Sequence, residues 1–242
     1  MSNYLLSSLI ITPILGSIIL LLIPRASSRL YKSINLGFSI LVLLLCLYIF
    51  FGNFERIDDL KNYGDLLLSE RVNWFSFSAG SFGLISIDYF LGIDGINLPL
   101  VLLSGIILVV GAIFSFEIDK QVRGYTALYQ LISAAILGSF LALDFFLFYL
   151  FFEFMLLPMF FLIGIWGGPR REYASIKFFL YTLFGSLLIL AVMIILNISH
   201  FDMAKTALET ATYGEENLVH GFDLMILSNS ESILNGSPID PN

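Results

Sequence analysis

The stretch FYLFFEFMLLPMFF, Phe148 to Phe161, decides the fold of this chain. It lies in a run from Thr126 to Trp166 whose only carboxylates are Asp144 and Glu153, with no lysine or arginine among them. About 20 mostly apolar residues are needed to cross the hydrocarbon core as a helix. Phe145 to Trp166 meets that length, and it carries a glutamate in its middle.

The rest of the chain matches this stretch. Apolar residues make up 58% and charged residues 13%, with a mean hydropathy of +0.90, outside the range of soluble domains. Six segments read as transmembrane helices: 4–23, 31–51, 95–116, 126–143, 145–166 and 173–197. The predicted fold is therefore an all-α polytopic bundle. The first span has no basic region ahead of it and reads as a spanning helix rather than a cleaved signal. Residues 52–94 carry seven acidic residues against Arg56, Lys61 and Arg71, so they form an extramembrane excursion, with a short strand pair or a surface helix. The tail 198–242 is polar and acidic, and its final GSPIDPN has the composition of a disordered end.

Basic residues choose the sides. Arg25, Arg29 and Lys32, then Lys120 and Arg123, then Arg170 and Arg171 follow spans one, three and five, whereas the turn between spans four and five has none. The positive-inside rule puts those three groups on the inner face and the N-terminus, the 52–94 excursion and the tail on the outer face.

Glu153 lies roughly 12 Å from the outer end of its helix and 20 Å from the inner end, at 1.5 Å rise per residue. A carboxylate at that depth costs at least about 2.5–3.5 kcal/mol and is retained where it faces a polar cavity, a partner charge or a proton path. Burial favours its neutral form and a nearby cation its charged form, so a group between those pressures can load and unload a proton. Tyr149 stands one turn away on the same face. Pro158 lacks the amide hydrogen that would bond the Phe154 carbonyl, leaving an acceptor beside Glu153. The alternative is a protonated, structural glutamate bonded to a neighbouring helix. Asp144, at the turn by the membrane surface, reads as a helix N-cap or an interfacial residue rather than a proton carrier.

Lys177 is the other ionisable group within a span, about 6–7 Å from the inner surface, with Tyr181 and Gly185 following on its face. It either snorkels to the inner headgroups or belongs to a hydrated file of polar groups. A direct pair with Glu153 is not expected, because the two depths differ by about 12–13 Å. Ala134, Gly138 and Ala142 form a small-residue packing face. The single cysteine, Cys46, rules out an iron–sulfur centre held by this chain's own thiolates. No nucleotide-binding, nucleophile-elbow or zinc pattern occurs, and no cofactor or nucleic acid is expected on this chain.

The segments YFLGIDGINLPL (89–100), LALDFFLFYLFFEFMLLPMFFLIGIWGG (141–168) and REYASIKFFLYTLFGSLLIL (171–190) closely resemble subunit 4 of mitochondrial NADH:ubiquinone oxidoreductase, respiratory complex I. The N-terminal SSLIITPILGSIILLLIP (7–24) is similar to the start of that subunit. The resemblance implies an antiporter-like, proton-translocating module of the membrane arm in the mitochondrial inner membrane. Glu153 would work there with a lysine on a broken seventh helix, and Lys177 aligns with a lysine common in the sixth. Flavin and iron–sulfur clusters would belong to partner subunits. Other membrane-arm subunits and lipids are the implied neighbours. The family's chain continues well past residue 242, so the resemblance further implies a split or truncated subunit, with a second chain supplying the remaining helices. A subunit of a sodium/proton antiporter complex and a structural remnant of the membrane arm are the alternatives.

Overall fold

The computed structural model describes residues 4–24, 27–54, 66–78, 84–202, 205–207 and 218–227. Arg25, Arg56, Lys61, most of the acidic residues counted in the tail and the closing GSPIDPN lie outside the described residues.

Six of the described helices are long and apolar enough to cross a membrane. They are α1 (Leu5–Leu22), α2 (Ser28–Asn53), α3 (Asn97–Phe114), α4 (Val122–Leu141), α5 (Phe145–Trp166) and α6 (Arg171–Ser199). Each expected span is present, with ends moved by a few residues. Lys32 falls inside α2, not in the preceding loop. It is buried, and its ammonium bonds the Phe116 carbonyl at 2.9 Å and Asp119 Oδ1 at 3.0 Å.

α4 is the central helix. It packs against α1, α2, α3 and α5, and its Leu137 and Leu141 are fully buried among Leu6, Leu9, Val42, Cys46, Leu98 and Val101. Its small residues permit this approach, as expected: a Cβ added at Gly138 would meet the Phe151 ring of α5 at 2.5 Å. α6 packs on α5 at the edge of the bundle and leaves most of its apolar surface uncovered.

The excursion contains a strand pair. β1 (Leu68–Ser78) and β2 (Leu84–Ile93) run antiparallel in the register Leu68↔Ile93, with a bulge between Asn73 and Phe75. A third strand, β3 (Val219–Gly221), comes from the tail and pairs parallel to β2. Composition alone did not reveal this docking, which buries Val219, His220, Phe222 and Asp223.

Polar side chains fasten the sheet to the helix ends. Glu70 of β1 is buried and accepts from the backbone amides of Leu6 at 2.5 Å and Ser7 at 3.0 Å, capping α1 from a distant part of the sequence. The GIDGIN segment builds the start of α3: Asp94 Oδ1 accepts from the Ile96 and Asn97 amides, and Asn97 Nδ2 reaches the Gly92 carbonyl. The sheet, the start of α1, the α4–α5 turn and residues 218–227 share one face of the bundle. Lys32, Asp119, Lys120, Arg123 and Trp166 meet at the other, where Trp166 Nε1 donates to the Lys120 carbonyl and Arg123 to that of Leu21.

Candidate functional site

α5 is apolar all round, as a helix enclosed by protein and lipid should be. Its start is fixed by Asp144, whose Oδ1 accepts from the Leu147 amide at 3.0 Å, the expected N-cap. Eight residues beyond Phe145, the first residue of α5, and roughly 12 Å into the span, stands Glu153. It is half-buried, and its Oε1 is buried with no hydrogen-bond partner among the described residues.

Around that carboxylate the structure assembles a small polar set. The Tyr149 hydroxyl interacts with Glu153 and with Ser186 of α6. Ser186 is 1% exposed and donates to the Leu183 carbonyl at 2.9 Å. Pro158 is buried inside α5, five residues beyond Glu153. Tyr149 thus lies beside Glu153, as the one-turn spacing implies, Pro158 follows further along the same helix, and Ser186 is an addition. A lone serine in the helical run LFGSLLIL gives no sign of its role until the α5–α6 pairing is known.

Lys177 is not brought to this set. It is exposed, with its ammonium 5.7 Å from the ring centroids of both Tyr173 and Tyr181, a cation–π arrangement on the outward face of α6. Nine residues separate it from Ser186, which at about 100° per residue puts the two on opposite sides of the helix.

The N-terminal end of α5 is held by an ionic clamp that sequence reading did not find. Arg71 of β1 contacts Asp88 Oδ2 at 2.7 Å and Asp223 Oδ2 at 2.9 Å, and Lys205 contacts Asp88 Oδ2 at 2.8 Å. Asn73 and Ser86 complete the shell of Asp88. The Asp88 amide donates to Asp144 Oδ2 at 3.4 Å, and Asp144 forms an isolated bridge with Asp223. Burial alone would raise the Asp88 carboxyl, yet Lys205 and Arg71 outweigh it and hold it below the usual carboxylate range. Asp144 faces no such cation among the described residues. Burial pushes it up to about 6, against hydrogen bonds from the Leu147 and Asp88 amides. Chain-distant charges meeting across a sheet leave no local spacing signal, which is why the clamp was missed.

Residues 142–229, which include this set, match the family described as NADH:quinone oxidoreductase/Mrp antiporter, TM. NADH-ubiquinone oxidoreductase chain 4 of Marchantia polymorpha is 35% identical over 76% of this chain and 35% of its own length. NAD(P)H-quinone oxidoreductase chain 4 2 of Microcystis aeruginosa is 31% identical over 91% of this chain and 40% of its own. Among solved structures, respiratory complex I from Thermus thermophilus with bound NADH contains a chain that superposes with a TM-score of 0.62 at 25% identity. That alignment covers 80% of this chain and 36% of the other. The chain spans about two fifths of the length of the curated relatives it matches. It is a multi-pass membrane protein of antiporter-like fold, and the curated proteins it is similar to, over about two fifths of their length, are chain 4 subunits of NADH-ubiquinone and NAD(P)H-quinone oxidoreductases.

Proposed function

We propose that this chain is part of a proton-translocating subunit in the membrane arm of an NADH:quinone oxidoreductase, with Glu153 as its proton carrier. The observation that carries the reading is the buried Oε1 of Glu153 at mid-span, without a hydrogen-bond partner among the described residues, beside the Tyr149 hydroxyl and on a helix that contains Pro158. A carboxylate is retained at such depth for a charge partner or a proton path. No described cation reaches it: Lys177 faces away, and Arg71 and Lys205 are committed to the clamp. The partner charge therefore comes from outside the described residues. A second chain docked on α5 and α6, carrying the remaining helices of the subunit, is the source this reading assigns. Lys177 would then meet that chain and join the path only through it.

This chain performs no redox chemistry in the proposal; flavin and iron–sulfur subunits of the same assembly supply it. The expected setting is the mitochondrial inner membrane, with the N-terminus on the intermembrane-space side. A cysteine at Ser69 should then react with an impermeant thiol reagent from that side and one at Ser28 should not, the reverse pattern refuting the orientation. A sodium/proton antiporter complex is the second reading, favoured by the family match, which is described jointly for both kinds of protein. Co-purification with flavin-bearing subunits separates the two.

The test of the carrier is Glu153→Gln, which keeps shape and hydrogen bonding but cannot titrate. Proton pumping should fall at least about tenfold, the size expected for losing a proton-transfer group, in a fully assembled complex. Asp144→Asn should have far less effect. Normal pumping by the glutamine variant would leave Glu153 a structural residue.

A further inference from the structure

Away from Glu153, the inner half of the bundle contains a continuous column of polar groups. Its mouth is Asp119, whose side chain is 93% exposed and pairs with the buried Lys32. One turn further along α2, Asn35 Nδ2 donates to Ser115 Oγ at 3.4 Å, beside the Phe116 carbonyl that Lys32 also holds. From α4, Gln130 Nε2 donates to the Asn35 carbonyl and to Asn35 Oδ1, both at 2.9 Å, and to Ser39 Oγ at 3.2 Å. Asn35 and Gln130 are fully buried. Gln130 is eight residues from the inner end of α4, roughly 12 Å deep.

One atom is left over. Gln130 Oε1 is buried and has no hydrogen-bond partner among the described residues. An amide carbonyl left bare in such surroundings costs about 1–3 kcal/mol. Turning the amide over gives no relief, because the Nε2 position faces the Asn35 carbonyl and Asn35 Oδ1, two acceptors, and the third neighbour, Ser39 Oγ, already donates its hydrogen to the Asn35 carbonyl at 3.0 Å. The orientation is fixed by its neighbours, and no described side chain or backbone amide supplies the missing donor.

The chemistry narrows the occupant to a small neutral donor. A cation would need several free oxygens, whereas here one acceptor is open and the adjacent ones already receive N–H groups. Thr126 and Ser133 flank Gln130 on the same face of α4, both buried. Their hydroxyls donate to Val122 and Tyr129 carbonyls of their own helix, which leaves oxygen lone pairs free to accept. One donation to Gln130 Oε1 and a second to such a hydroxyl give a buried water the two or more partners it requires. We propose that a buried water is bound at Gln130 Oε1, closing a polar seam between α2 and α4 that opens to the inner face at Lys32 and Asp119.

A density map of the intact assembly, at a resolution where other internal waters are visible, tests this. The expected result is a water peak within hydrogen-bond reach of Gln130 Oε1, with the side-chain orientation given above. A dry Oε1, or an amide rotated onto a protein donor, overturns the proposal. The outcome is independent of Glu153: a water at Gln130 is compatible with either result of the pumping assay, and its absence says nothing about proton carriage.

Discussion

α4 and α6 are both membrane-length helices of one small bundle, yet 56% of the span window of α4 is buried against 11% of that of α6. In α4, its neighbours and the sheet the charged groups are matched: Glu70 with the start of α1, Lys32 with Asp119, Arg71 and Lys205 with Asp88, while the neutral Gln130 pairs through Nε2 with Asn35 and leaves only its Oε1 open. Along α5 and α6 they are not. Among the described residues, Glu153 retains an unpartnered oxygen, and Lys177 has two aromatic rings for company but no carboxylate. The packed half thus supplies rigidity and the open half carries the unspent chemistry. An intramembrane charge without a partner marks where a further element belongs.

Breaking the packed half should give the largest effect. Asp88→Ala removes the carboxylate on which Arg71 and Lys205 converge. The cost of breaking a buried pair, discounted for the 39% exposure of Arg71, is about 2–3 kcal/mol. Thermal unfolding should show it, together with protease sensitivity of residues 218–227. The pH dependence has a definite sign. Asp88 is held below its ordinary value, so its stabilisation is present above the usual aspartate range and lost as pH falls through its lowered folded value. Wild type and the alanine variant should therefore converge well below about pH 4. A gap that persists there would mean the clamp is not ionic. Asp144 has the opposite sign. Raised to about 6, it favours the folded state at low pH, and that advantage fades as pH rises from the ordinary value to about 6.

A smaller effect sharpens the contrast between the halves through two glycines. Alanine at Gly138 would press into the Phe151 ring, an overpacking cost of about 1–3 kcal/mol that offsets the helix-propensity gain of about 1 kcal/mol. Alanine at Gly185 meets nothing within 4 Å and keeps that gain. Gly138→Ala should be neutral to destabilising and Gly185→Ala neutral to stabilising in the isolated chain. If Gly185→Ala instead weakens assembly, that face of α6 is occupied by a close-packed partner helix.

The six spans, the N-cap at Asp144 and the nearness of Tyr149 to Glu153 were legible because each rests on local sequence: run length, a short polar residue before a helix, a spacing of about one turn. The clamp, the Glu70 cap of α1 and the Gln130–Asn35 pair join residues dozens of positions apart, and no periodicity encodes them. β3 was illegible for a related reason, since a three-residue strand in a polar tail gains its order from β2 rather than from its own composition. Ser186 joined the site only once α5 and α6 were seen to pair.

The central claim is that Glu153 changes its protonation state as the enzyme works. Infrared difference spectra of the assembled complex, with and without turnover on NADH and quinone, measure that directly. The account predicts a carboxylic C=O band that changes on turnover in the wild type and is missing from Glu153→Gln but retained in Asp144→Asn. A spectrum left unaltered by Glu153→Gln would contradict it.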